Sequence, residues 1–317
     1  MLGAHLDRKI DRAFSKLESG ESFLSFELTP LVGVQALAQE SLNALKSCAL
    51  FDSFVCTDSP LARFKPSSVL SSIALQESLQ KPCICTISMR DRNSIALCGE
   101  ILSANAFNLR TFLSLTGDPI KLGNTEAKAV FEDSSTKLNA IINTLNAGLD
   151  LTGSALKSTP KRIYNCNVIN SYAINPKTIE SKMIKKIKSA FIDSSSCSLS
   201  ALFSQPVYSL ESAHILLDSL ESTNRILGTR VSLVLGFFPV VSYKSAVFLR
   251  DKLPGVFILD SWILRLEKAH KSQNPKSEER KVGLELSREL FESLGTIHNQ
   301  FHFMTNGSLA LAQDVLL

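Results

Sequence analysis

The chain has 317 residues, with 34 Lys and Arg against 30 Asp and Glu, a formal net charge of +4 that is spread without a basic block and gives no electrostatic case for nucleic acid. At 44% hydrophobic and 20% charged residues, with 14 Gly and 11 Pro, it has ample material for a large core and none of the composition of disorder. The longest apolar run, Val231 to Val241, is broken by Ser232, Gly236 and Pro239 and falls short of the roughly 18 residues of a membrane span.

The N-terminal stretch, taken as a helix over residues 1–20, carries charges from Asp7 to Arg12 where a secretory signal needs an apolar stretch, which reads as cytoplasmic. Short β-rich runs then recur at 23–28, 53–56, 83–88, 109–115, 163–169, 199–204, 231–236 and 301–304. Between them lie segments of helical spacing, such as Ile73, Leu75 and Leu79, or Leu138, Ile141, Ile142 and Leu145. This alternation predicts a parallel sheet, and eight such units favour one (β/α)8 barrel domain over residues 1–317, with a doubly wound open sheet as the alternative. Residues 119–162 are expected to form a long excursion after the fourth strand, on the strand-end face. A helix is expected at 178–191, and residues 271–281 read as a solvated linker to a last helix over 278–293.

In such a barrel the chemistry gathers at the C-terminal ends of the strands. There the chain places Glu27, then Thr57 and Asp58, then Arg90 to Asn93, then Thr116, Gly117 and Asp118, then Ser204 and Gln205. Each alone reads equally as a cap or turn residue. Seven scattered cysteines without a C-x-x-C pair read as reduced thiols. The five histidines do not cluster along the chain, so the sequence proposes no metal site and no histidine-based nucleophile. A G-x-G-x-x-G loop is also missing.

Taken in order, FELTP (26–30), VCTDSPLAR (55–63), ISMRDRNSIAL (87–97), LSLTGDPIKLG (113–123), VFEDSS (130–135), FSQPVYS (203–209) and GFFPVVSYKSAVFLRDKLPGV (236–256) resemble the methylenetetrahydrofolate reductase family. The resemblance is strongest to the reductase half of bifunctional homocysteine methyltransferase/reductase proteins and runs from about residue 20 to about 310. It implies a barrel that binds FAD, ahead of FMN, and uses NAD(P)H to reduce 5,10-methylenetetrahydrofolate to 5-methyltetrahydrofolate, in one-carbon metabolism feeding methionine synthesis. NADH, NADPH and a protein electron donor stay undistinguished.

Opening the one-carbon bridge requires protonating a weakly basic nitrogen, which asks for a carboxylic acid that keeps its proton near neutral pH. The resemblance gives that role to Glu27 and makes Asp118 the anchor for flavin and pterin. It implies flavin contacts from Thr57, Asp58, Thr116, Gly117 and Asn175, and basic residues, Lys185 and Lys186, against the FAD pyrophosphate. Gln205 would bond the pterin, and Tyr243 would pack on the folate or nicotinamide, although an ordinary surface tyrosine fits that position as well. Oligomeric state stays open; homo-oligomers built through outer helices are common in the family.

Three departures stand against the pattern. Thr86 in TISMRDRN replaces a histidine of HVTCRDRN that contacts flavin, so that contact is lost or replaced. The phrase Ser171-Tyr172-Ala173-Ile174-Asn175-Pro176 stands where many members have Tyr-Pro-Glu-x-His-Pro, although the methyltransferase-linked branch shares Asn-Pro. HFMTNGS at 302–308 replaces HFYTLNR and lacks the arginine for the folate tail. These departures keep two alternatives: a catalytically impaired reductase-like barrel acting as a folate- or flavin-binding partner subunit, and a folate-binding methyltransferase barrel without flavin.

Overall fold

The computed structural model describes residues 2–33, 37–123, 126–193, 196–253 and 255–317; Asn124 of the 119–162 stretch and Pro254 of DKLPGV lie outside them. Eight parallel strands run in chain order around a closed barrel, each hydrogen-bonded to the next and the last to the first. They are β1 (Phe23–Leu28), β2 (Ser53–Cys56), β3 (Cys83–Ser88), β4 (Thr111–Leu115), β5 (Tyr164–Ile169), β6 (Leu199–Pro206), β7 (Ser232–Phe237) and β8 (Gln300–Phe303). The single-domain (β/α)8 barrel is therefore the architecture, and the open doubly wound sheet is excluded by the β1–β8 ladder.

The helices are α1 (Leu2–Ser19), α2 (Gln39–Ser47), α3 (Ser68–Leu79), α4 (Ser94–Ala106), α5 (Ser135–Asn146), α6 (Lys177–Lys188), α7 (Leu210–Leu227), α8 (Tyr243–Lys252), α9 (Asp260–His270), α10 (Pro275–Gly295) and α11 (Leu309–Leu316). Their starts are written in the sequence: Asn93, Ser209, Ser242 and Ser308 each accept a backbone N–H from the first turn of the following helix. The expected linker 271–281 is corrected at its second half. Pro275 opens α10, because proline at a first helical position forfeits no hydrogen bond, and the polar residues after it form a solvated helical face. Of residues 119–162, those before α5 lie beyond the C-terminal end of β4; α5 then carries the chain to the opposite end, where Lys161 pairs with Asp7 and Arg162 with Glu18 of α1.

Strand alternation divides the side chains between two layers. Outward residues such as Phe237 and Phe303 pack under the helices, where Phe291 of α10 meets both rings at 5.2 Å. Inward residues Val55, Ile84, Leu113, Cys166, Phe203 and Val234 fill the barrel and join one apolar cluster with Leu6, Ile10, Ala13, Phe14 and Leu17 of α1. Helix α1 thus stoppers the N-terminal end of the barrel, with Phe14 against Tyr164 at 4.5 Å between ring centroids. Among the described residues no helix is long and apolar enough to cross a membrane.

Since Phe14 is fully buried, Phe14→Ala leaves a cavity in this stopper. It should lower unfolding stability by about 3 to 5 kcal/mol in urea denaturation while leaving the secondary structure intact by circular dichroism.

Candidate functional site

With one end closed by α1, the open end holds a cavity of about 490 Å³, within the usual range for small-molecule sites. Its floor is polar. Ser25, Glu27 and His302 all point inward from neighbouring strands, because β1 and β8 pair with Ser25 opposite His302. Ser25 Oγ lies 3.0 Å from His302 Nδ1, and His302 Nε2 lies 3.8 Å from Glu27 Oε2. Phe203 and the imidazole form a T-shaped pair with ring centroids 5.5 Å apart. Gly236, which pairs with His302 across β7 and β8, lets the end of β6 approach closely, since a Cβ there would stand 2.3 Å from the Ser204 carbonyl oxygen and 2.8 Å from Met304 Cε.

His302 was not among the sequence candidates. Its signal is parity: in the run QFHF the histidine has the inward phase, and closure brings it beside Glu27. Linear spacing between residues 27 and 302 carries no such information.

The opposite wall is built by the loops after β2 and β4. Gly117 has φ +98, and a Cβ there would lie 2.6 Å from Arg90 Cβ, so only glycine permits this turn. Asp118 follows and its Oδ2 accepts the Leu61 backbone N–H at 2.6 Å. That bond pins a strained loop: Ser59, Leu61 and Ala62 all have left-handed φ, at 43, 55 and 54 degrees. Arg90 donates to the Ser59 carbonyl at 3.1 Å, and Gly123 presses against Ala62, where a Cβ would sit 2.3 Å from its oxygen. Pro60, Leu61, Gly117 and Asp118 thereby form one cavity wall.

The remaining residues named from the sequence divide into two groups. Thr57, Asp58, Thr86 and Gln205 line the cavity. Thr57 Oγ1 donates to Thr29 Oγ1 at 3.1 Å. The hydroxyl of Thr86 and the amide of Gln205 make no hydrogen bond to other described residues, which leaves both for a ligand. Asp58 is already engaged: it accepts from the Ser88 backbone N–H at 3.1 Å, the Ser88 hydroxyl at 2.9 Å and Arg92 at 2.8 Å, and is nearly buried. Its role in this fold is to hold the end of β3.

Thr116, Asn175, Lys185, Lys186 and Tyr243 do not line the cavity. Thr116 Oγ1 accepts the Ser135 N–H at the start of α5, at 3.1 Å. Asn175 is exposed and its Oδ1 accepts the Lys177 N–H at 3.1 Å. Lys185 is exposed. Lys186 runs inward between α5, α6 and β5, donating to Asn167 Oδ1 at 2.6 Å and Ser135 Oγ at 2.8 Å. Tyr243 packs against His270 of α9 with the rings tilted and their centroids 5.4 Å apart, and the cavity face of α8 is instead Lys244, Ser245, Phe248 and Leu249. All the cysteines are free; burial pushes the Cys83 and Cys85 thiols up to about 12, which keeps them protonated and inert.

Two outcomes follow from these placements. Asp58→Asn should lower stability by about 2 to 3 kcal/mol in denaturant titrations, since it leaves the largely buried Arg92 with only Glu100; a residue serving ligand contact alone would leave stability unchanged. Burial, reinforced by the Lys182 and Lys185 charges, pulls the Lys186 ammonium from 10.5 down to about 8. Between about pH 8 and 10 the unfolded chain therefore holds a proton that the folded chain lacks, and stability rises with pH; below about 8 both states hold it and the slope vanishes. Lys186→Met should remove that rise when its urea midpoints at pH 7, 8, 9 and 10 are compared with those of the unaltered chain.

No family model matches the chain, and no curated protein matches it. Among solved structures it is similar to an uncharacterized protein from Clostridium thermocellum described as binding two copies of 5-methyl-5,6,7,8-tetrahydrofolic acid, with 14% identity, a TM-score of 0.61 and 95% of each chain covered. At that identity the likeness is one of fold: another (β/α)8 barrel of matching extent.

Proposed function

We propose that the chain binds a reduced folate at the open end of the barrel and, with a flavin, reduces 5,10-methylenetetrahydrofolate to 5-methyltetrahydrofolate at the expense of NAD(P)H. The observation that carries the reading is the convergence of Glu27, Asp118 and Gln205, from the ends of β1, β4 and β6, on one cavity. The folate described in the similar barrel supports the ligand class.

Thr57, Thr86 and Gly117 would hold the flavin ring on one cavity wall, where the side chains are small and the Thr86 hydroxyl makes no hydrogen bond to other described residues. Bound there, FAD would supply the two-electron chemistry. The chain's own residues do the rest. Glu27, in its protonated form, gives a proton to the folate nitrogen of the one-carbon bridge and so opens it. His302, tied through Nδ1 to Ser25, stands beside that carboxyl, with Nε2 3.8 Å from Oε2. Asp118 keeps one oxygen on Leu61 and offers the other to the donor edge of the pterin, while the Gln205 amide bonds the same ring. The apolar residues Phe203, Phe238, Phe248 and Leu253 exclude water around it.

A second reading, a folate-binding barrel without flavin, draws on a different observation. Asp58 is taken up by Arg92 and Ser88, and Lys186 is directed into the barrel wall, so two groups that the family resemblance offers to FAD are engaged inside the protein. Stopped-flow separation of the half-reactions decides between roles. Glu27→Gln should abolish folate reduction by at least about 100-fold and leave flavin reduction by NAD(P)H nearly intact; loss of both together would contradict the acid role.

A further inference from the structure

The cavity runs from a polar floor to a mouth at α8. Its floor is held by His302 and Glu27, with side chains 5% and 24% exposed, and its acceptors are carboxylates and an amide. Its outer wall is one face of α8, where Lys244 and Phe248 stand four residues apart and so lie one above the other. Both are exposed, which puts them at the mouth. Lys244 is the one Lys or Arg side chain among the described residues that line the cavity, and it forms no ion pair with any described residue. None of the carboxylates that share the cavity pairs with Lys244: Asp58 is bound to Arg92, one oxygen of Asp118 accepts from Leu61, and Glu27 stands beside His302 on the floor. Lys244 also stands two residues after the Ser242 cap, in the first turn of α8, where the helix adds partial positive charge.

We infer that Lys244 reads the anionic end of the ligand: a glutamate carboxylate held at the mouth, joined through an aromatic spacer against Phe248 and Phe238 to a pterin at the floor. This rests on the folate reading and assigns the tail to α8. It also accounts for the absence of an arginine in the HFMTNGS segment after β8, since the charge is supplied from another element. An ammonium on a flexible stem suits a carboxylate at an open rim, where geometry is loose and solvent competes.

Isothermal titration of the full chain with 5-methyltetrahydrofolate and with 5-methyltetrahydropterin, which lacks the aminobenzoyl-glutamate tail, tests the assignment. Lys244→Ala should weaken the folate by about five- to tenfold and flatten its salt dependence, leave the pterin unchanged, and be largely rescued in Lys244→Arg. Equal affinities of Lys244→Ala and the unaltered chain for the folate would overturn the role of Lys244, as would an equal loss for both ligands. Failure of the unaltered chain to bind either ligand would instead refute the folate reading on which the inference stands.

Discussion

A closed barrel has two ends, and α1 takes one of them. Five apolar residues of that helix join the inward-facing side chains of the strands in a single cluster, so no ligand reaches the interior from the N-terminal side. Every polar group that faces the interior above this plug must then be satisfied by a neighbour or by something that enters from the open end. Ser25 and His302 satisfy each other, Glu27 stands beside His302, and Thr86 and Gln205 are left facing the cavity. The chemistry of the site follows from this division.

Strand closure also decides which residues meet. The runs that build β1 to β8 were legible because parallel strands are apolar on both faces and stand out between helices of period 3.6. Observed strand bounds differ from the expected ones by a residue or two at β4 to β8. The order of polar residues after the strands was legible as well, since strand ends in a barrel share one rim. Pairing was not. His302 becomes part of the floor through the β1–β8 ladder, which joins the two ends of the sequence. Asp58 and Arg92 read as turn residues, and their ion pair needs β2 and β3 side by side. Tyr243 and Phe248 differ only in helical phase, and the phase of α8 against the barrel is a tertiary fact.

The same logic separates the two halves of the family resemblance. The residues suited to a folate, Glu27, Asp118 and Gln205, stand together and keep bonding capacity for a ligand. Several of those that the resemblance names for the flavin are dispersed: Thr116 caps the start of α5, Asn175 caps its own turn, and Lys186 is bonded within the wall. A buried ammonium held by neutral oxygens is a liability unless packing enforces it, and here Asn139, Asn165 and Asn167 link β5 to α5 around it. The residues proposed for the folate thus face the barrel interior, whereas Thr116, Asn175 and Lys186 make their bonds within the protein itself.

The measurement that bears most directly on this account is the visible absorbance of the purified chain, after reconstitution with FAD, through anaerobic addition of NAD(P)H and then methylenetetrahydrofolate. The account predicts a yellow protein that bleaches with the nicotinamide and regains its colour with the folate. A chain that stays colourless after exposure to FAD, while still binding 5-methyltetrahydrofolate, would contradict the reductase and leave a folate-binding barrel.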